Sequence, residues 1–204
     1  MRIALWCTAG VLSITLLMPA LAQDKDQKPG GGQNMEEMMK KWKETMAPGA
    51  PHAMLAEMAG SWDMETRTWM NGPKSEPSVT KGSADFEMVL GGRFLQQKMT
   101  GEMMGMPMNG VGLTGYDNFK QKFIGSWVDN TSTALYTMEG TLDKEKKTIT
   151  YWGVMDDPMT GKKDNKVKYV EVFVDKDKHI FRIYDVGAGG EDQPSVEMTY
   201  TRKK

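Results

Sequence analysis

The stretch MNGVGLTGYDNFKQKFIGSWVDN, residues 108–130, decides how the rest of the chain reads. Its first arm sets Gly110, Gly112 and Gly115 among Val111, Leu113 and Tyr116. Asp117-Asn118 supplies a polar turn, because short side chains of this kind bond their own backbone. The second arm puts Phe123, Gly125 and Trp127 on one face and Lys122, Ile124, Ser126 and Val128 on the other. Period two on both sides of a tight turn is the mark of a hairpin. Glycine weakens a flat strand but is useful where a sheet bends sharply or a neighbour comes close. A bare strand beside an aromatic one therefore predicts a sheet that curls.

The same period runs outward from this hairpin, from Ser61 to the end of the chain. Ten strands are expected, at 61–70, 78–90, 92–103, 108–116, 121–129, 133–142, 147–156, 165–175, 179–186 and 194–203. Turn signals such as NGPKSEP, DKEK, DDPMTGK and GAGGED stand between them. Short connections force antiparallel neighbours, since parallel strands need long crossovers. Closing the ribbon on itself removes exposed edges, so an up-and-down barrel is the expected all-β fold. Along the strand at 165–175, Val170, Val172 and Val174 oppose Val167, Tyr169, Glu171 and Phe173. If the second set faces inward, Glu171 enters the lumen, and Arg182 of the next strand is the expected partner.

Ahead of the barrel the period is helical. Met35, Met38, Met39, Trp42 and Met46 recur on one side of MEEMMKKWKETM, an amphipathic helix. Pro51 opens a second short helix, 52–59, which Gly60 is expected to end. Residues 23–34, charged and then glycine-rich, read as a disordered leader. Arg2, the apolar run AGVLSITLLMPA and Ala20-Leu21-Ala22 read as a signal peptide cut after Ala22. The expected organisation is thus signal peptide 1–22, leader 23–34, short helices 35–59 and barrel 60–204. Cys7 is the one cysteine, so the exported chain, periplasmic or secreted, holds together without disulfides. A formal net charge of −1 gives no case for nucleic acid or an anionic membrane surface. No second apolar run is long enough to span a bilayer.

PHAMLAEMAG running into Gly60-Ser61-Trp62, then LGGRFL, GVGLTGYDN, Trp127-Val128-Asp129, DDPMTGK and a closing MTYTRK, resembles the domain-of-unknown-function 1579 family. The resemblance covers about residues 51–202. It implies a ten-stranded, calycin-like barrel, related in shape to lipocalins and fatty-acid carriers, with the short helix plugging one end and no established activity. Calycin-like barrels begin with G-x-W, matched by Gly60-Ser61-Trp62, and pack a basic residue of the last strand over that Trp. Arg202 stands at the corresponding end, so the resemblance gives Trp62 and Arg202 a structural role in barrel closure.

Other signals weigh less. GVGLTG spells a dinucleotide fingerprint, but that motif needs a strand feeding a helix, and here a turn follows. Twenty methionines include Met103, Met104, Met106 and Met108 in one short run. Thioether sulfur suits Cu(I), yet methionine is also an adaptable core filler. His52 and His179 are too few for zinc, and His179 is expected at the rim beside a turn. No catalytic residues are expected: there is no nucleophile elbow, no cysteine after the leader and no paired His and Asp. Asp117, Asp129, Asp156 and Asp157 fall in turns. Asn130-Thr131-Ser132 spells a glycosylation sequon.

The resulting expectation is a binding barrel for a small apolar or amphipathic ligand, with no cofactor and no metal site. Ten strands enclose more room than the eight that just hold one small ligand. Trp127, Tyr151, Tyr169 and Phe173 are expected on the lumen side, with Arg93 and Arg182 for a polar head group. A methionine-rich copper-binding protein is the alternative, and an enzyme with an unrecognised lumen site comes last.

Overall fold

The structure is a computed structural model that describes residues 34–72, 74–158, 160–188 and 190–204. The expected signal peptide, its cleavage site and residues 23–33 of the expected leader lie outside the described residues. The chain divides into two compact units, Met1–Met39 and Lys40–Lys204. Of the first, residues 34–39 are described. Asn34 Oδ1 accepts the Glu36 N–H and opens helix α1 (Met35–Thr45), which crosses the division and buries none of its side chains. Among the described residues no helix is long and apolar enough to cross a membrane.

The second unit continues with α2 (Ala50–Ala56) and ten strands. These are β1 (Gly60–Thr68), β2 (Ser78–Val89), β3 (Phe94–Met103), β4 (Met106–Asp117) and β5 (Lys122–Asp129), then β6 (Tyr136–Asp143), β7 (Thr148–Asp157), β8 (Lys162–Asp175), β9 (Lys178–Asp185) and β10 (Val196–Arg202). Each pairs antiparallel with its neighbour in sequence, and β1 pairs with β10, so the sheet is a closed ten-stranded barrel. The expected strands all form, within a few residues of their expected ends.

Odd strands and even strands run in opposite directions, so the loops sort to two ends. The end holding Gly60, Asp117 and Arg202 is stopped by α2, which buries His52 and Leu55. Pro51 opens α2, as its preset backbone angle favours. His52 closes it, because its Nδ1 accepts the Gly49 N–H at 3.0 Å. Gly60 does not end the helix, which stops at Ala56. It starts β1 with φ of +125°, and a Cβ there would stand 2.8 Å from Arg202 Nη1. The position is left to glycine because Arg202 crosses in front of it.

Arg202 is the pin of this end. Its guanidinium lies 4.1 Å over the Trp62 ring, its register partner across the β1–β10 seam. It donates to Ala59 O at 2.7 Å, to Glu57 O at 2.6 Å and to Lys176 O at 3.0 and 3.1 Å. Trp62 Nε1 donates in turn to Met58 O at 2.9 Å. One cation thereby ties the plug, the first strand and the β8–β9 turn to the last strand.

The hairpin at β4–β5 explains its glycines. A Cβ on Gly110 would stand 2.0 Å from Trp127 Cζ2, and one on Gly112 3.1 Å from Trp127 Cε3. The indole lies flat across the bare strand inside the barrel. What the glycines admit is a neighbouring ring, not a pyrophosphate.

Candidate functional site

Inward-facing side chains enclose a cavity of about 1150 Å³. It opens at the end opposite the plug, between the β5–β6 connection and the strand ends at Thr68, Ser78, Met103 and Asp157. Ten of its lining side chains among the described residues are methionines, from Met58 and Met64 within to Met70, Met103 and Met104 at the mouth. Half of the methionines in the sequence are therefore wall, where an unbranched thioether follows irregular surfaces with little strain.

Four of the six residues expected in the lumen line this cavity: Trp127, Tyr151, Tyr169 and Phe173. Trp127 Nε1 donates to Asp129 Oδ2 at 2.8 Å. Tyr169 stacks on Phe181 at 5.9 Å. Burial pushes the Tyr169 phenol up to about 12, and burial followed by the nearby Glu171 charge pushes Tyr151 well above its ordinary value. Both phenols therefore stay neutral.

The two arginines lie elsewhere. Arg182 has outward parity on β9 and pairs with Glu197 at 2.7 Å. Arg93 is exposed in the β2–β3 turn, where it donates to Leu90 O and Met46 O at 3.3 Å each. Turn geometry claims Arg93, and a one-residue parity difference turns Arg182 outward. Neither lines the cavity.

Glu171 does enter the lumen, and its partner is His179. Expected at a rim, His179 is 2 % exposed and sits at the inner end of the cavity. Its Nδ1 stands 2.5 Å from Glu171 Oε1. The ring lies parallel to Tyr200, with centroids 4.3 Å apart and planes within 1°, and meets Trp62 edge-on at 4.7 Å. Tyr200 accepts from Gln97 Nε2 at 3.1 Å and donates to Met198 Sδ at 3.4 Å. Burial raises the Tyr200 phenol, with the Glu171 charge adding to it and the Gln97 bond opposing. A carboxylate only accepts, so His179 Nδ1 carries a proton and donates to Glu171 Oε1. His179 Nε2 is buried without a hydrogen-bond partner.

This floor cluster was hidden because its members lie on five strands, β1, β3, β8, β9 and β10. On β9 His179, Phe181 and Ile183 are the inner set and alternate with Ile180, Arg182 and Tyr184, a choice that the register against β8 makes. His52 is spent inside the plug, where burial lowers its pKa against the Tyr116 backbone bond, with nearby Arg93 lowering it further. Among the described residues no group of three His, Cys, Asp or Glu could hold a metal.

The sequence profile of the proteins of unknown function DUF1579 matches residues 47–202. The chain belongs to the DUF1579 family. In this DUF1579 protein the match takes in α2 and the whole barrel, plug and floor cluster included. No curated protein matches it. Among solved structures, a redesigned beta barrel is similar at 16 % identity and a TM-score of 0.36, over 74 % of this chain and 95 % of that one.

Proposed function

We propose that this DUF1579 protein is an exported, calycin-like carrier that holds one small apolar or amphipathic molecule in its lumen. The observation that carries the reading is the cavity itself, about 1150 Å³ of methionine- and aromatic-lined space open at one end. Ligand pockets of about 300–1,000 Å³ with apolar walls and a few placed polar groups take molecules of drug or lipid size. Native mass spectrometry of the purified protein tests it, with a stoichiometric adduct or one-to-one uptake of a neutral alkyl probe such as dodecanol expected. A protein that carries no adduct and takes up no alkyl probe refutes it.

A second reading rests on the β3–β4 turn. Met103, Met104 and Met106 are exposed there, and Met103 is the register partner of Met106. Soft thioethers grouped at one surface suit Cu(I). Competition with a Cu(I) chelator tests this, since replacing Met103, Met104, Met106 and Met108 by Leu abolishes uptake if the turn is the site. Unchanged uptake sinks it.

A further inference from the structure

The chain has 26 basic and 27 acidic side chains, close to balance. Its cavity is not balanced. Among the described residues no Lys or Arg lines it, whereas Glu171 lies at the floor and Glu102, Asp129, Asp156, Asp157 and Asp185 stand toward the mouth. We infer that the lumen selects a ligand with a positively charged head group, an alkyl ammonium, and discriminates against the carboxylates that fatty-acid carriers hold. This deepens the carrier reading and rests on it.

The floor supplies the head-group site. Glu171 Oε1 accepts from His179 Nδ1, which leaves Oε2 as a second acceptor. His179 Nε2 is buried without a hydrogen-bond partner, and so is Asn165 Oδ1 further up the same wall. Glu171 Oε2 and Asn165 Oδ1 accept hydrogen bonds and donate none. A bound ammonium donates, and a carboxylate cannot satisfy an acceptor. Aromatic faces add to this, because ring quadrupoles attract cations and repel anions. Tyr151, Tyr200 and Phe86 all line the inner cavity with Glu171.

Three basic groups on the surrounding strands are engaged away from the lumen. Arg202 is saturated by three carbonyl oxygens and stacked on Trp62. Arg182 pairs with Glu197, and Lys162 donates to Gly187 O at 2.7 Å at the mouth. At the mouth, burial of Asp129 works to raise its pKa, but bonds from the Thr131 hydroxyl, Trp127 and the Thr131 and Ser132 backbone outweigh it and hold the carboxyl below its usual range. An arriving cation therefore meets negative charge at the entrance and the Glu171 carboxyl at the floor, and an anion meets repulsion at the entrance. Selectivity of this kind comes as much from what is excluded as from what is held.

Three probes with the same tail test it: dodecylammonium, dodecanol and dodecanoate, below their micellar concentrations, by titration calorimetry on the whole protein. Dodecylammonium is expected to bind roughly tenfold or more tighter than dodecanoate, with dodecanol between. In Glu171→Gln the preference of the amine over the alcohol is expected to fall to about one, read as a ratio so that a weakened fold does not mimic it. The wild-type series decides even if that variant fails to fold. Dodecanoate binding as tightly as dodecylammonium, or more so, overturns the charge selection and leaves the carrier reading standing. Binding of none of the three overturns both.

Discussion

Replacing Arg202 by alanine should cost this barrel more than its partly exposed position suggests. The side chain is one-quarter exposed, yet it stacks on Trp62 and serves three backbone carbonyls from two other parts of the chain. A partly desolvated cation–π contact is worth about 1–2 kcal/mol. Hydrogen bonds from a charged donor run at about 1.5–3 kcal/mol each when buried, and water replaces part of that here. A sum of about 3–4 kcal/mol follows. For a domain of this size each kcal/mol lowers Tm by about 2–4 °C, so a loss of about 10 °C is expected. Urea unfolding followed by tryptophan fluorescence reads it. Arg202→Lys should recover less than half, because one ammonium cannot stack on the indole and reach three carbonyls together. Arg67→Ala is the control: its ion pair with Glu65 is exposed on both sides and is worth less than about 0.5 kcal/mol. If Arg202→Ala costs less than 1 kcal/mol, or no more than Arg67→Ala, the pinning role is wrong.

Other expectations are as direct. Gly110→Ala puts a Cβ 2.0 Å from the Trp127 ring, so the indole must leave the wall; a changed near-UV circular dichroism signal and a loss of about 1–3 kcal/mol are expected, and an unaltered Trp127 signal refutes the close-approach account. Leu55→Ala empties a fully buried position in the plug and should cost about 2–4 kcal/mol, with faster amide exchange through 50–59 as the local readout. Tyr151, Tyr169 and Tyr200 have raised phenols. Because the folded values exceed the unfolded one, their contribution is complete below about pH 10 and is lost as pH rises from there past about 12. Absorbance at the tyrosinate band should show these three ionising late, together with unfolding; early ionisation of all six tyrosines refutes their burial.

Much of the architecture was legible because a half-buried strand writes its two faces directly into period two. The β4–β5 hairpin, with bare and aromatic arms, already implied curvature, and the seam between β1 and β10 followed from closing the edges. Parity was readable on β8, where Val167, Tyr169, Glu171 and Phe173 share a face and that face is the inner one. It failed on β9, because Ile180, Arg182 and Tyr184 look as apolar as His179, Phe181 and Ile183. Only the register against β8, which sets Phe173 opposite His179, separates the two sets. The partner of Glu171 was therefore misassigned by one residue of phase. Gln97 and Tyr200 were illegible for another reason: their bond joins positions 103 apart, and no local pattern carries such a pair.

The seam has a consequence for how the protein comes into being. Arg202 bonds to Glu57 across 145 positions, and β10 supplies one whole side of β1. Loops of that span are entropically costly to close and are closed late. A nascent chain short of its final strand leaves β1 and β9 with unpaired edges, open to another copy. Synthesis must finish before the molecule can hide those edges, so loss of residues 196–204 alone should yield not a weaker barrel but a sticky ribbon.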